Sequence, residues 1–467
     1  MAPQDRLQGQ IRSALQSGRG ALFEPLGVAR LAGGAIESAE ANVQPQEKKE
    51  VLSGAFFWLT IFYLVYCARP SELIPFLSVV PLAKISGILT TLALFLSIGK
   101  TSRQISDLPK EAYYLVLMII LLFVSAVLSP VWRGGAVSTV LDFSKLLVAW
   151  LMTLLLVTTL RRLRRIIFVQ SASVAIICCM AIVKGHSIPR LQDVIGGMYS
   201  NPNDMSFAIV LSLPFCLTFL LLAKSWLIKT AWGLGILAMM AALFLTASRA
   251  AFINLIIAGA VLLWQFGVKG KRAYLIVGAV FLSVALFLVA GKDLKVRLNG
   301  MFSSGDSEEQ DSAHASYEER RQLMIKAKDA ILRYPLFGVG AGDFEVYSGV
   351  WHEVHMEYLQ IAAEGGIPVL ILYLLFFGRG FANLRALGQR HLDDETVLFV
   401  GALRSSLVGF VVGACFAPEA YQFFSYFTVC YTSVLFAITQ ERAPSQLPAQ
   451  PAASLLKSPL RFSPRVS

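Results

Sequence analysis

Charged residues are scarce in this sequence. Only 15% of its 467 residues are Asp, Glu, Lys or Arg, whereas 56% are hydrophobic. A soluble globular chain is about one quarter charged and nearer half apolar. Apolar runs long enough to cross a hydrocarbon core of about 30 Å recur along the chain. The shortage of charge therefore excludes an ordinary soluble domain and predicts an all-α, polytopic membrane protein.

Paired cysteines and metal-ligand spacings are also lacking. The six cysteines fall in or beside apolar runs without a CxxC pair, so they are interpreted as small core hydrophobes. His352 and His355 are three residues apart, which is not the spacing of an HExxH zinc site. A metal site made of these two histidines and a nearby carboxylate remains an alternative. We expect a protein that needs no metal and no other cofactor.

A cleavable signal peptide is not expected, because the first apolar run starts near Val51, behind a long polar segment. The net charge of +11 is not interpreted as a nucleic-acid signal. In a membrane protein, Lys and Arg collect in the cytoplasmic loops, and this explains the excess without a nucleic-acid partner.

Twelve spans are predicted, with one long outer-face loop that contains short helices. They lie at 52–67, 76–98, 112–129, 137–160, 165–183, 204–223, 226–247, 249–266, 273–290, 366–380, 396–416 and 420–440. Five regions follow. They are a disordered cytoplasmic tail at 1–50, nine spans within 51–290, a periplasmic loop with the catalytic segment at 291–365, three spans within 366–440, and a cytoplasmic tail at 441–467.

Positive charge differs between alternate loops. The richer set holds Lys100, Arg103, Lys110, Arg161, Arg162, Arg164, Arg165, Lys224, Lys229, Lys269, Lys271, Arg272, Arg379, Arg385 and Arg390. Outside the long loop, the other set holds Arg69, Arg133, Lys184, Arg190 and Arg249. The positive-inside rule then predicts that both termini are cytoplasmic and that the long loop lies on the outer face.

Several charged residues lie within or beside the apolar runs. The run 226–266 is too long for one crossing, so we expect a turn at 246–249 that places Arg249 at the outer mouth. An arginine that only reaches for lipid phosphates is the simpler alternative there. Asp142 and Lys145, three apart on one helix face, are interpreted as a structural pair rather than a proton relay. Lys84 indicates a break or a polar interior.

The long loop contains a helical pattern from Tyr317 to Tyr334. One row of it joins Arg320 to Met324, Ala327 and Ile331. An arginine that continues an apolar row is costly to bury unless it meets an anion or a carboxylate. Arg320 is therefore predicted to face the site, and Arg321 to face water.

A glycine-rich turn and a histidine follow this helix. The turn GVGAGDF, residues 338–344, lacks the context of a dinucleotide fingerprint and is either a weak anion nest or a structural turn. His355 is predicted to begin a short helix, HMEYLQIAAE, that ends at Gly365. The positive end of the helix dipole favours the neutral ring of a histidine in the first turn, and a general base must be neutral. An ordinary capping or interfacial histidine is the alternative.

Four blocks of the sequence resemble the O-antigen ligase and polymerase superfamily of polytopic glycosyltransferases. They are SNPNDMSFAIVLSLP at 200–214, TASRAAF at 246–252, EERRQLMIKAKDAILRYPLFGVGAGDF at 318–344 and HMEYLQIAAEGGIPVL at 355–370. Met356 stands where the family usually has Asn, Met324 replaces an aromatic residue, and Val369 replaces a glycine. These departures leave three branches open: lipid A-core ligase, repeat-unit polymerase and protein O-oligosaccharyltransferase.

The resemblance implies transfer of a glycan from undecaprenyl diphosphate to an acceptor hydroxyl at the outer face of the bacterial inner membrane. The acceptor would be a glycolipid, a glycan or a protein. His355 would be the base, and Arg249 and Arg320 would hold the diphosphate. Asn203, His352 and Glu357 are candidate accessory residues.

Two other functions fit a chain with twelve spans. One is a transporter or flippase of lipid-linked or anionic glycans, although such proteins usually show internal repeats. The other is a non-catalytic partner in envelope assembly.

Overall fold

The structure is a computed structural model that describes residues 53–96, 108–186, 191–246, 248–289, 308–350, 352–418 and 420–442. The regular elements within these ranges are helical. The long α-helices are α1 Ser53–Ala68, α2 Leu82–Phe95, α3 Lys110–Leu128, α4 Arg133–Leu156, α5 Leu160–Lys184, α6 Pro202–Leu222, α7 Trp226–Leu245, α8 Arg249–Leu263, α9 Tyr274–Val289, α10 Glu308–Arg333, α12 Glu357–Leu387, α13 Asp394–Gly413 and α14 Phe423–Arg442. Helix α11, Phe344–Ser348, and a turn of helix at Pro70–Leu73 are short.

The described residues contain nine helices that are long and apolar enough to cross a membrane. Three shorter apolar helices, α1, α2 and α9, match the remaining predicted spans. The all-α, polytopic prediction is thus confirmed. The tails 1–50 and 441–467 lie wholly or almost wholly outside the described residues, so their predicted disorder is not tested.

The predicted turn within 226–266 is found where α7 ends at Leu245 and α8 begins at Arg249. The N-cap of α8 is Ser248, whose Oγ accepts a hydrogen bond from the backbone N–H of Ala251 at 3.2 Å. Helix α8 then runs into a π-helical turn at Trp264–Lys269.

The catalytic segment largely follows its prediction. A short helix ending at Gly365 and a separate span from residue 366 were expected, and α12, Glu357–Leu387, consists of two helices joined across a kink at Gly366, whose φ of 82° and ψ of 173° are not helical. Only the predicted start of the short helix is wrong. His355 precedes the N-cap, Met356, and therefore lies outside the helix. The expected dipole effect on a first-turn histidine is replaced by other influences, described below.

Connecting segments gather at two ends of the helix bundle. We call one group the loop end: residues 69–80, 129–132, 191–203, 246, 248, 334–350, 352–356, 414–418 and 420–422. These segments contact the neighbouring helix ends. Tyr199 donates to the Cys67 carbonyl at 2.7 Å, the Leu191 N–H donates to Leu245 O at 3.1 Å, and the Glu357 N–H donates to Ala414 O at 2.9 Å.

The other group, the basic end, comprises residues 108–111, 156–165, 379–395 and 433–442. Arg164 Nη1 lies 3.1 Å from Glu395 Oε1, and Arg390 Nη1 donates to Thr439 Oγ1 at 3.3 Å. Most of its cations belong to the loops that the charge pattern assigned to the cytoplasm.

Two hydrophobic cores support these ends. The main core joins buried side chains of the membrane helices, including Trp150, Phe215 and Phe427. A second, smaller core lies under the long loop and consists of Leu323, Ala327, Ala330, Val339, Phe344, Val354 and Ala363. This small core holds α10, α11 and the glycine-rich turn against the first turns of α12.

Candidate functional site

The sequence Glu364-Gly-Gly-Ile-Pro368 breaks the hydrogen-bond ladder of α12. Pro368 has no N–H to donate to the Glu364 carbonyl. The Ile367 N–H, which a regular helix would direct to Ala363, donates to Pro335 O at 2.8 Å. The carbonyls of Ala363 and Glu364 are thereby free for other donors.

The glycine-rich turn supplies those donors. The N–H of Val339 donates to Ala363 O at 2.8 Å, and the N–H of Gly340 donates to Glu364 O at 3.0 Å. Ser125, on α3, also donates to Glu364 O, at 2.7 Å. The turn is therefore a backbone clamp on α12, which supports the structural reading of GVGAGDF over an anion nest.

Two glycines allow this close approach. Gly366 has φ 82° and Gly338 has φ 64°, both in the left-handed region. A Cβ on Gly366 would lie 2.4 Å from Leu336 O, and one on Gly338 would lie 2.4 Å from the Glu364 carbonyl. No other residue type fits either position without moving the backbone.

The buried side chain of Glu364 connects three segments. Tyr421 donates to its Oε2 at 2.5 Å, and Gln360 donates to its Oε1 at 3.4 Å. The backbone of Gly342 also donates to this carboxylate. Glu364 thus fixes the turn to α12 and to the segment before α14.

Asp343 ties the same turn to the α3–α4 connection. Its Oδ2 accepts hydrogen bonds from Ser129 Oγ at 2.6 Å and from the Trp132 N–H at 3.1 Å. Burial raises the pKa of this carboxyl against the opposing effect of those two donors.

The clamp places His355 at the edge of the small core, directly after the buried Val354. His355 is half-buried, and its Nδ1 is buried with no hydrogen-bond partner among the described residues. Burial, and then the positive charge of Arg320, lower the pKa of this imidazole, while Glu319 opposes them. A neutral ring with one uncommitted nitrogen is what a general base requires.

Helix α10 presents its arginines differently from the predicted row. The buried row is Leu323, Ala327 and Ala330, whereas Met324 is 37% exposed and Ile331 is half-buried. The predicted apolar row was therefore wrong. Helix α10 buries a different row of side chains that also has helical spacing.

Both arginines are exposed. Arg320 is not buried with an apolar row, although its charge acts on His355, and its role at the site stays a prediction. Arg321 pairs with Glu318 at 3.2 Å.

His352 lies on the solvent side of the same segment. Its Nε2 is 3.4 Å from Glu319 Oε1, and the side chain is exposed. Among the described residues, no three His, Cys, Asp or Glu side chains form a group that could hold a metal ion. The metal alternative at His352 and His355 therefore lacks a third ligand in this part of the chain.

Glu353 is a site residue that sequence reasoning missed. Its side chain is exposed, yet burial raises its pKa to about 8, with further contributions from Glu364, Glu345 and Asp204. Exposure together with strong desolvation describes a carboxyl in an open cleft, wetted on one side and enclosed on the others. At neutral pH this carboxyl is mainly protonated.

The cleft near Glu353 also receives the start of α6 and the start of α8. Asp204 of α6 raises the pKa of Glu353, and Asn203 Oδ1 accepts a hydrogen bond from Ser248 Oγ at 2.7 Å. The first two blocks of the resemblance therefore meet beside the fourth. Arg249 follows Ser248 directly, but its side chain lies outside the described part of the structure, so its role stays a prediction.

Glu357, the third candidate accessory residue, is fully buried at the start of α12 and accepts a hydrogen bond from Tyr373. This contact points into the bundle, so Glu357 serves the packing of α12. Glu364 could have been suspected from its place in the fourth block, whereas Glu353 precedes that block and interacts with Asp204 and Glu364 only through the fold.

Three of the charged residues within or beside the apolar runs can also be placed. Asp142 and Lys145 form a hydrogen-bonded ion pair on α4, as predicted. Lys84 is exposed on α2.

Comparison with known proteins agrees with the sequence resemblance. A search of curated proteins finds no match. Residues 234–374 match the family model described as O-antigen ligase, and this range spans α7 to the middle of α12. It contains Arg249, Arg320, the clamp and His355. The chain is thus a polytopic membrane protein in which residues 234–374 are similar to the O-antigen ligase family.

Proposed function

We propose that this protein transfers a glycan from undecaprenyl diphosphate to an acceptor hydroxyl at its loop end. The uncommitted Nδ1 of His355, buried in a ring whose pKa is lowered, is the observation that carries the proposal. The acceptor is a glycolipid, a glycan or a protein. The positive-inside pattern supports an inner-membrane protein with cytoplasmic termini and a periplasmic loop end.

In the proposed reaction, His355 accepts the proton of the acceptor hydroxyl. The hydroxyl oxygen forms a bond to the anomeric carbon of the donor glycan, and the bond from that carbon to the diphosphate oxygen breaks. Because the lowered pKa keeps the ring neutral near pH 7, the base is ready without prior loss of a proton.

The leaving group departs as undecaprenyl diphosphate, whose charge needs stabilisation rather than a proton. Arg320 is exposed and makes no hydrogen bond or ion pair among the described residues, so its guanidinium is available to the diphosphate. Arg249, at the first residue of α8, is proposed as the second cation. This arrangement requires no metal ion.

Glu353 supports the same assignment. A protonated carboxyl does not repel a diphosphate, whereas an ionised one in the same cleft would. The raised pKa therefore keeps the cleft compatible with an anionic donor at neutral pH.

The test is release of undecaprenyl diphosphate by purified protein given a lipid-linked glycan and an acceptor. We expect His355→Ala to reduce the rate by about 10²–10⁴, the usual contribution of a positioned base. His391→Ala, an exposed histidine between α12 and α13, is the matched control and should keep the wild-type rate.

Near wild-type turnover by a folded His355→Ala protein would remove His355 from this role. Movement of the intact donor across a membrane without release of the diphosphate would instead identify the transporter or flippase alternative.

A further inference from the structure

A buried carboxylate lies at the basic end, in the first turn of α3. Glu111 is 1% exposed. Its Oε1 accepts hydrogen bonds from Asn383 Nδ2 and Ser433 Oγ, each at 2.6 Å. Its Oε2 is buried, accepts no hydrogen bond from the described residues, and lies 3.7 Å from Arg379 Nε. Because a buried charge is costly unless it is paired and hydrogen-bonded, half of this carboxylate still needs a donor.

A cavity of about 270 Å³ adjoins this carboxylate. A single water molecule occupies about 30 Å³ in the liquid, so the space admits a larger ligand. Its wall combines Glu111 with two cations, Lys110 and Arg379, and with the apolar side chains of Leu154 and Phe436. The Nε of Arg379 is also buried without a hydrogen-bond partner.

We propose that this cavity binds the phosphoethanolamine head group of a membrane lipid. The ammonium donates to Glu111 Oε2, and the phosphate accepts from Arg379 and Lys110. The glycerol and the first methylenes of the acyl chains lie against Leu154 and Phe436.

The charges of the wall select this chemistry. The anionic phosphoglycerol head group would place its phosphate near the cations, but it offers Glu111 Oε2 only neutral hydroxyl donors and no positive charge. A simple amine or metal cation would satisfy Glu111 and be repelled by Lys110 and Arg379. A head group that carries a positive and a negative charge matches both Glu111 and the two cations. The contact between arginine and phosphate is also charge-assisted. Choline has no N–H to donate, so it fits less well than ethanolamine.

A lipid rather than a soluble phosphate ester fits the position. The cavity lies among the ends of α3, α4, α12 and α14, which are membrane-spanning candidates, and its apolar wall has no counterpart in a soluble head group. The proposal is independent of the chemistry at His355, which lies at the loop end.

The experiment is native mass spectrometry of delipidated wild-type protein. The protein is titrated with phosphatidylethanolamine, phosphatidylcholine and phosphatidylglycerol of identical acyl chains. We expect one phosphatidylethanolamine to be retained about tenfold more tightly than either of the others, as one hydrogen bond to a charged group allows. Equal retention of the three lipids would overturn the proposal and leave the cavity to water. Soluble phosphoethanolamine that binds as tightly as the lipid would overturn the lipid assignment.

Variants locate the site. Glu111→Gln should abolish the preference for phosphatidylethanolamine over phosphatidylglycerol, because the ammonium loses its anion. Arg164→Gln is the matched control, since Arg164 is a half-exposed cation at the same end whose partner is Glu395. It should keep the preference. Because the lipid comparison uses the unaltered protein, it decides the question even if Glu111→Gln does not fold.

Discussion

The loop end and the basic end use their charged groups differently. At the basic end, three arginines have fixed partners within the protein, whereas Arg379 lines the proposed lipid cavity. Arg162 donates to Leu156 O at 2.8 Å, Arg164 pairs with Glu395, and Arg390 donates to Thr439. These cations are committed to holding helices together.

At the loop end, the groups with assigned chemistry are left open. His355 Nδ1 has no partner among the described residues, Arg320 pairs with none of them, and Glu353 is exposed in a cleft of other acids. Structural cohesion there comes from backbone hydrogen bonds and from the buried carboxylates of Asp343 and Glu364. The comparison teaches that, at the loop end, the groups that hold the segments together are different from the groups with proposed chemistry.

Disrupting the clamp should have the largest effect on the stability and activity of the loop end. Gly366→Ala introduces a Cβ 2.4 Å from Leu336 O at a residue with φ 82°. We expect a loss of about 1–3 kcal/mol from backbone strain alone, and with it most of the transferase activity. Thermal unfolding and the diphosphate-release assay measure both.

The matched control for that variant is Gly378→Ala, further along α12. A Cβ there meets nothing within 4 Å, so stability should hold or rise by roughly 0.5–1 kcal/mol. Equal behaviour of the two alanine variants would mean that the break at Gly366 does not hold the loop end.

Substitution of the adjacent arginines of α10 should have the next largest effect and tests the role proposed for Arg320. Arg320→Ala should raise the donor concentration needed for half-maximal rate by about tenfold or more, as loss of a charge-assisted hydrogen bond predicts. Arg320→Lys should be intermediate, since lysine makes no bidentate contact. Arg321→Ala removes only an exposed pair with Glu318 and should change the free energy by about 0–1 kcal/mol. Initial rates over a donor series give the answer, and the reverse order would exchange the roles of the two residues.

The pH dependence of transfer should show both ionisations of the loop end. The pKa of His355 is lowered, so activity on the acid side should reach half of its plateau at a pH below the ordinary imidazole pKa of 6.5. The pKa of Glu353 is raised to about 8, so its charge, and repulsion of the diphosphate, should appear as the pH rises through 8.

Glu353→Gln keeps that position neutral at every pH. The alkaline fall should therefore vanish, while the acid limb stays unchanged. The pH–rate profiles of wild type and variant decide this, and an alkaline fall that persists in Glu353→Gln would assign it to another group.

Chelation should produce the smallest effect, namely none. The proposed leaving-group stabilisation comes from arginines, so excess EDTA should leave the rate within experimental error. Activity that is lost on chelation and restored by one divalent ion would return His352 and His355 to the role of metal ligands.

The sequence predicts the membrane helices well because run length alone identifies them. It is less informative where distant segments decide the structure. Gly365-Gly366-Ile-Pro368 predicts the helix end that the kink at Gly366 shows, but it does not predict that Pro335 and the glycine-rich turn satisfy the interrupted backbone there.

The helix α10 offers two rows at helical spacing, and only packing against Val339 and Phe344 selects the row of Leu323. Arg320 was selected from a predicted apolar row and His355 from its predicted place at a helix start, and the family resemblance then implied their roles. Glu353 was missed because its environment depends on Asp204 and Glu364, which the fold alone brings near it.

The clamp on α12 also determines which substitutions the loop end can tolerate. Its hydrogen bonds join main-chain atoms of Val339, Gly340, Ala363 and Glu364, so the bonds themselves are indifferent to side-chain identity. The clamp instead requires particular residues at three positions. Gly338 and Gly366 are required because they have no Cβ, and Pro368 because it has no N–H. A saturation library across 334–368 should therefore be least permissive at those three small or cyclic residues, and more permissive at solvent-facing positions such as Leu336.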